Sequence, residues 1–263
     1  MAYSEETMID IYCNSTGIGD SLLYTQVVHE LAKQDKVRLS ARYFAWHGKR
    51  YHNNEENFVN PIWFNNPDVS EFVLTEIIPH QFHPFVSGRQ HHSLDICNKY
   101  NIMNIDEPKL YLYPERKILP PTNTKNVGVF LRKTDVDDNY WNYSGFEVIC
   151  ELLCDSGINV YQIDGEERLI LNAHHEFKEL GVKDLCSLVG NFDCVLGQTT
   201  GATHIAKAFG VKTFDIWDFK RFGLHTMQVY QSYSYKENTN IFVNGDSVST
   251  PESIAASILR YLS

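Results

Sequence analysis

A chain of 263 residues with 43% hydrophobic and 21% charged residues has an ordinary globular composition, long enough for one large domain or two small ones. Its net charge of −10 argues against a protein that coats nucleic acid non-specifically, since that work needs clustered Lys and Arg. No stretch approaches the roughly 20 apolar residues of a membrane span, and MAYSEETMIDI lacks the basic and apolar regions of a signal peptide, so a cytoplasmic protein is expected.

Residues 8–13 read as a strand that breaks into the turn Asn14-Ser15-Thr16-Gly17-Ile18-Gly19-Asp20 and enters a helical pattern over 21–33. This is the shape of a nucleotide-binding βα unit, yet it lacks both the G-x-G-x-x-G fingerprint and the phosphate lysine of a P-loop. Val37–Phe44 reads as the next strand, 46–66 has no clear period, and Glu71–Glu76 and Leu110–Tyr113 read as short strands around a helix near 90–101. Three prolines and a polar tail make 114–125 the best linker candidate. Beyond it the alternation restarts, with strands at 127–132, 158–163, 194–197 and 212–217 and helices at 145–156, 166–180 and 202–209. Thr250 followed by Pro251 predicts a terminal helix over 251–262. Strands alternating with helices imply parallel sheets covered on both faces. Two such runs imply two Rossmann-like halves with a cleft between them.

The stretch GQTTGATHIAKAFG repeats the strand, turn and helix theme. Its turn can offer the backbone N–H groups of Thr200, Gly201 and Ala202 to an anion, with the Thr199 and Thr200 hydroxyls as further donors and His204 beside them. An ordinary βα turn capped by threonine fits the same residues. Asp20, likewise, reads either as a chemical group or as the N-cap of a helix starting at Ser21.

Taken in order, four segments resemble the family-9 glycosyltransferases, the heptosyltransferase-like enzymes. GIGDSLLYTQVVHEL is similar to their N-terminal motif, and VGVFLRKTDVDDNYWNYSGFEVICELL to the first strand and helix of their C-terminal domain. DGEERLI resembles the segment near the nucleotide, and TTGATHIAKAFGVKTFDIW the second signature. The resemblance covers residues 8–33 and most of 127–217 and is weak over 45–115.

It implies the α/β GT-B architecture, two Rossmann-like domains with parallel sheets facing a central cleft. Here these would be an acceptor-side domain at 1–118, a linker at 119–126 and a donor domain at 127–263, the helix 251–262 being free to pack back on the first. It further implies inverting transfer of a sugar from a nucleotide-diphosphate sugar to a hydroxyl acceptor, with no metal and no cofactor. Asp20 matches the general base, on an acceptor-side loop with Gly17 and Gly19. Thr199, Thr200, Gly201, Ala202 and His204, with Arg132, Lys133 and Thr134, would hold the donor diphosphate, and Gly165, Glu166 and Glu167 the ribose or base. Two family positions differ: an acidic residue is Thr199 here, and a lysine is Asn139. A saccharide is the first choice of acceptor, with a small molecule, a protein or a hydroxylated nucleobase in phage-type DNA as others. A nucleotide-sugar epimerase of the same fold and a non-catalytic nucleotide-sugar-binding protein stay open.

His80, His83, His91 and His92 suggest metal ligands, but loop or acceptor-side contacts account for them more simply. Asp135, Asp137 and Asp138 suggest a cation site that the metal-free resemblance does not need. The six cysteines (13, 97, 150, 154, 186 and 194) show no paired C-x-x-C and read as buried thiols.

Overall fold

The computed structural model describes residues 7–15, 17–41, 45–46, 49–50, 61–63, 65–75, 90–113, 123–130, 143–163, 175–177, 182–198, 201–218, 230, 233–235, 238–243 and 249–263. The chain divides into two units, Met1–Glu115 and Arg116–Ser263, with the boundary inside the proline-containing segment 114–125.

In the first unit β1 (Met8–Cys13) leads through α1 (Ile18–Leu22) and α2 (Thr25–Ala32) to β2 (Lys36–Ala41). A short antiparallel pair follows, β3 (Ala45–Trp46) and β4 (Lys49–Arg50), then a 3-10 turn at Pro61–Trp63, β5 (Glu71–Leu74) and α3 (His92–Lys99). The strands β1, β2 and β5 form a parallel sheet in that order, with Ile9 opposite Val37 and Arg38 opposite Glu71.

The single helix expected at 21–33 is two helices. Leu22, Leu23, Tyr24, Val27 and Val28 are all buried, and on one straight helix they would spread round about two thirds of the circumference. The chain breaks instead at Leu23-Tyr24, where the Thr25 hydroxyl donates to the Leu22 carbonyl at 2.6 Å and competes with the helical ladder. Leu110–Tyr113, expected as a strand, has no ladder. Its neighbourhood is pinned to α2 by side chains: the Lys109 amide donates to Gln26 Oε1 at 3.1 Å and the Tyr111 amide to Thr25 Oγ1 at 3.0 Å. Backbone donors are satisfied either way, so an extended-looking sequence need not join a sheet.

The second unit carries β6 (Asn126–Phe130), α4 (Tyr143–Asp155), β7 (Asn159–Ile163), β8 (His175–Phe177) and α5 (Val182–Val189). It continues through β9 (Cys194–Gln198), α6 (Gly201–Ala208), β10 (Lys212–Asp218), β11 (Thr239–Val243) and α7 (Pro251–Leu262). Its six strands are all parallel and lie in the order β11-β10-β9-β6-β7-β8. Numbered within the unit this is 3-2-1-4-5-6, the doubly wound order that reverses between the first and fourth strands, here β6 and β9.

Alternation along the strands divides the two faces. Val127, Val129, Val160, Leu196, Phe214 and Ile216 point to one core, closed by Phe146, Ile149 and Leu153 of α4 and by Ile254, Ala255 and Ile258 of α7. Each such buried aliphatic side chain contributes roughly 1.5–3 kcal/mol over an exposed one. Asp215, between Phe214 and Ile216, points to the opposite face and reaches α6.

Two expectations change in this unit. Of the helix expected at 166–180, residues 175–177 form the edge strand β8, while 166–174 and 178–180 lie outside the described residues; the helix α5 comes after them. The strand β11 falls where none was anticipated, on the other edge. The terminal helix begins as expected, with Thr250 Oγ1 accepting from the Ser253 amide at 3.2 Å, and Ile254, Ala255 and Ile258 of its apolar face lie in the core of the second unit.

Candidate functional site

In the first unit the glycine turn follows β1. Gly17 is the N-cap of α1 in an extended conformation (φ −93, ψ 153), and the Ser21 amide donates to its carbonyl at 3.0 Å. The helix therefore starts at Ile18, and Asp20 sits inside its first turn instead of capping a helix at Ser21. Its carboxylate is exposed, and the positive end of the helix favours negative charge there. A Cβ added at Gly17 would meet nothing within 4 Å, so the fold does not require glycine at this position.

Beneath the loop Cys13 is fully buried, and burial, with the negative charge of Asp20 adding to it, pushes its thiol up to about 12. It stays protonated and supplies no nucleophile. His92, the first residue of α3, is also buried; burial holds its pKa down while the charges of Asp20 and Asp95 oppose this. A neutral imidazole thus lies within the electrostatic reach of Asp20. His91 next to it is the N-cap of α3, its Nδ1 accepting from the Ser93 amide at 3.3 Å. Among the described residues no group of three or more His, Cys, Asp or Glu could hold a metal ion. His80, His83, Asp135, Asp137 and Asp138 lie outside the described residues.

In the second unit one row of register partners crosses the whole sheet. Asn240 pairs with Asp215, Asp215 with Gly197, Gly197 with Phe130, Phe130 with Ile163 and Ile163 with Phe177. The carboxyl ends of β6, β7, β9 and β10 therefore share one edge, although the partners Phe130, Ile163 and Gly197 in that row lie 33 and 34 residues apart along the chain. Gly197 makes the close approach at the reversal of strand order, where a Cβ would stand 2.8 Å from the Phe130 carbonyl oxygen. Arg132, Lys133 and Thr134 follow β6 in sequence, Gly165, Glu166 and Glu167 follow β7, and Thr199 and Thr200 follow β9; all eight, with Asn139, lie outside the described residues.

Gly201 and Ala202 open α6, and His204 lies in the first turn, only 3% exposed, with Nδ1 at 3.2 Å from the Tyr235 hydroxyl. One turn on, Lys207 forms an ion pair with Asp215, their side chains 4% and 0% exposed, and its Nζ stands 4.4 Å from the centre of the Tyr235 ring. Burial lowers the Lys207 pKa against the pull of Asp215, and burial also raises the Tyr235 hydroxyl well above its ordinary value. Sequence reasoning found His204 but neither Tyr235 nor the Lys207–Asp215 pair. The signal was an aspartate flanked by apolar residues in a central strand, Phe214-Asp215-Ile216.

No protein-family model matches the chain, and no curated protein sequence does. Solved structures do match. A glycosyl transferase of family 9 from Veillonella parvula is 9% identical and superposes with a TM-score of 0.65 over 96% of this chain and 95% of that one. TibC, an iron-containing dodecameric glycosyltransferase from enterotoxigenic E. coli, is 11% identical with a TM-score of 0.62, over 95% of this chain. This chain spans 65% of the length of TibC. The E. coli heptosyltransferase WaaC, solved with ADP-2-deoxy-2-fluoro heptose, is 15% identical with a TM-score of 0.58, over 97% of this chain and 99% of that one. The chain has the α/β fold of the family-9 glycosyltransferases and heptosyltransferases, as the sequence resemblance implies.

Proposed function

We propose that the chain is a glycosyltransferase, moving a sugar from a nucleotide-diphosphate sugar to a hydroxyl acceptor with inversion and without a metal. The observation that carries this reading is the strand order of the second unit. In a fold shared with glycosyltransferases, β6 and β9 end side by side at the reversal, where nucleotides bind in doubly wound sheets. The segments 132–134 and 199–204 continue from those two ends.

Asp20 takes the proton of the acceptor hydroxyl, and the acceptor oxygen attacks the anomeric carbon on the face opposite the diphosphate. The bond from that carbon to the diphosphate oxygen breaks. The charge left on the departing group is met by the amides at Thr200, Gly201 and Ala202, the hydroxyls of Thr134, Thr199 and Thr200, His204, and the cations Arg132 and Lys133. Gly165, Glu166 and Glu167 receive the ribose or base. Gly17 and Gly19 line the acceptor side, and the open space at Gly17 suits a saccharide there. Six free cysteines, five of them buried, fit a reducing compartment such as the cytoplasm.

A thermal-shift titration with ADP, GDP, UDP and CDP tests the donor site. One of them should raise the melting temperature, since ligand at 100 times its Kd stabilises by about 2.7 kcal/mol. No response to any of the four contradicts the reading. Turnover of the matching nucleotide sugar should survive EDTA; loss on chelation, restored by iron or another cation, would overturn the metal-free step.

A further inference from the structure

The buried ion pair behind α6 has no place in the transfer reaction as written, and it is costly. Taking an ammonium and a carboxylate out of water is offset only by close geometry, and apolar residues of the same volume commonly serve as well or better. Asp215 nevertheless stands in a central strand, 0% exposed, and its Oδ1 has no hydrogen-bond partner among the described residues. What the pair does locally is hold a cation against one aromatic ring. Lys207 Nζ lies 4.4 Å from the centre of the Tyr235 ring, and that ring presents its hydroxyl 3.2 Å from His204 Nδ1. The imidazole also meets the ring edge-on, with centroids 5.9 Å apart, and the Tyr233 ring lies 6.0 Å from the imidazole, tilted by 58°.

We infer that Tyr235, clamped by the Lys207–Asp215 pair, is a positioning residue that sets the tautomer and orientation of His204 for the diphosphate of the donor. The inference rests on the donor reading above. A hydroxyl that never ionises at neutral pH is a dependable donor, and the ammonium over its ring draws electron density from the phenol and strengthens that donation. Donation into Nδ1 leaves the neutral imidazole with its proton on Nε2. The ring is then an N–H donor suited to a phosphate oxygen without having to be charged. Asp215 is the register partner of Gly197 at the reversal of strand order, so the clamp is anchored to the strand next to β9. Lys207 and His204 are three residues apart on α6, so both ends of the clamp act on one helix face.

The test pairs a spectroscopic readout with binding. In the histidine 15N spectrum of the wild-type chain, assigned with His204→Ala, His204 should carry its proton on Nε2. Tyr235→Phe keeps the ring on Lys207 and removes only the hydroxyl, and it should abolish the fixed tautomer. By calorimetry Tyr235→Phe should bind the responding nucleoside diphosphate, and pyrophosphate, about five- to tenfold more weakly, the scale of one lost hydrogen bond. On the His204→Ala background Tyr235→Phe should change binding by less than about twofold, because the tyrosine acts through the histidine. A wild-type His204 protonated on Nδ1, or equal binding by wild type and Tyr235→Phe, overturns the positioning role while leaving the donor reading intact. A wild type that binds none of ADP, GDP, UDP, CDP or pyrophosphate overturns the donor reading, and the positioning role with it.

Discussion

One glycine turn follows β1, the first strand of the first unit, and the other follows β9, the fourth strand of the second, and their surroundings differ. The turn after β1 is open: a side chain at Gly17 would touch nothing within 4 Å, and Asp20 is exposed in the first turn of a five-residue helix. The elements on either side of the second turn are closely packed: Gly197 in β9 presses against the Phe130 carbonyl, His204 in α6 is buried, and an ion pair lies behind it. An open carboxylate suits a group that must meet a mobile acceptor. A buried, hydrogen-bonded imidazole on a longer helix suits a fixed binding group. On the proposed function, the missing phosphate chemistry of the first turn becomes a division of labour, with acceptor and diphosphate falling to different turns.

Breaking the open turn should cost activity and leave the fold alone. Asp20→Asn should lower sugar transfer by roughly 10²–10⁴-fold, the usual contribution of a general base. Because the side chain is exposed, its melting temperature should stay near wild type. Breaking the ion pair behind α6 should cost stability first. Lys207→Met leaves Asp215 as a buried unpaired charge and should cost about 3–5 kcal/mol in urea unfolding, whereas the double variant Lys207→Met/Asp215→Leu should recover most of that loss.

The glycines sharpen the contrast on a smaller scale. Gly197→Ala should destabilise by about 1–3 kcal/mol, because the new methyl group would stand 2.8 Å from a backbone oxygen that cannot swing away. Gly17→Ala should stay within about 1 kcal/mol of wild type, a weaker helix cap being offset by a stiffer unfolded chain. Any loss of transfer in Gly17→Ala would then report contact with the acceptor.

The smallest effect concerns His92. Its folded pKa lies below the ordinary 6.5, so the unfolded chain binds more protons once the pH falls below that value. Stability contributed by the neutral, buried ring is present above pH 6.5 and is lost as the pH falls toward the folded pKa. His92→Gln should flatten the acid limb of a stability profile measured by urea unfolding.

The alternation of strand and helix in the second unit was legible because β6, β7, β9 and β10 are apolar runs bounded by turns, and α7 because Thr250-Pro251 is a strong start signal. The three-residue strand β8 was not legible: His175-Glu176-Phe177 is too short to show a period and sits at a sheet edge. Leu110–Tyr113 misled because the Tyr111 amide goes to Thr25, and the preceding Lys109 amide to Gln26, partners more than 80 residues away that no local pattern reveals. The same limit applied to the candidate site. Asp20 and His204 could be named from local motifs, but Tyr235 enters only through the fold, which carries it to α6 across 31 residues of chain.

The division of labour is tested most directly by amide hydrogen exchange with and without a saturating nucleoside diphosphate, the one among ADP, GDP, UDP and CDP that raises the melting temperature. Protection should appear over residues 198–208 and not over 14–22. Protection over 14–22 with none at 198–208 would place the phosphates on the first turn after all and contradict the account.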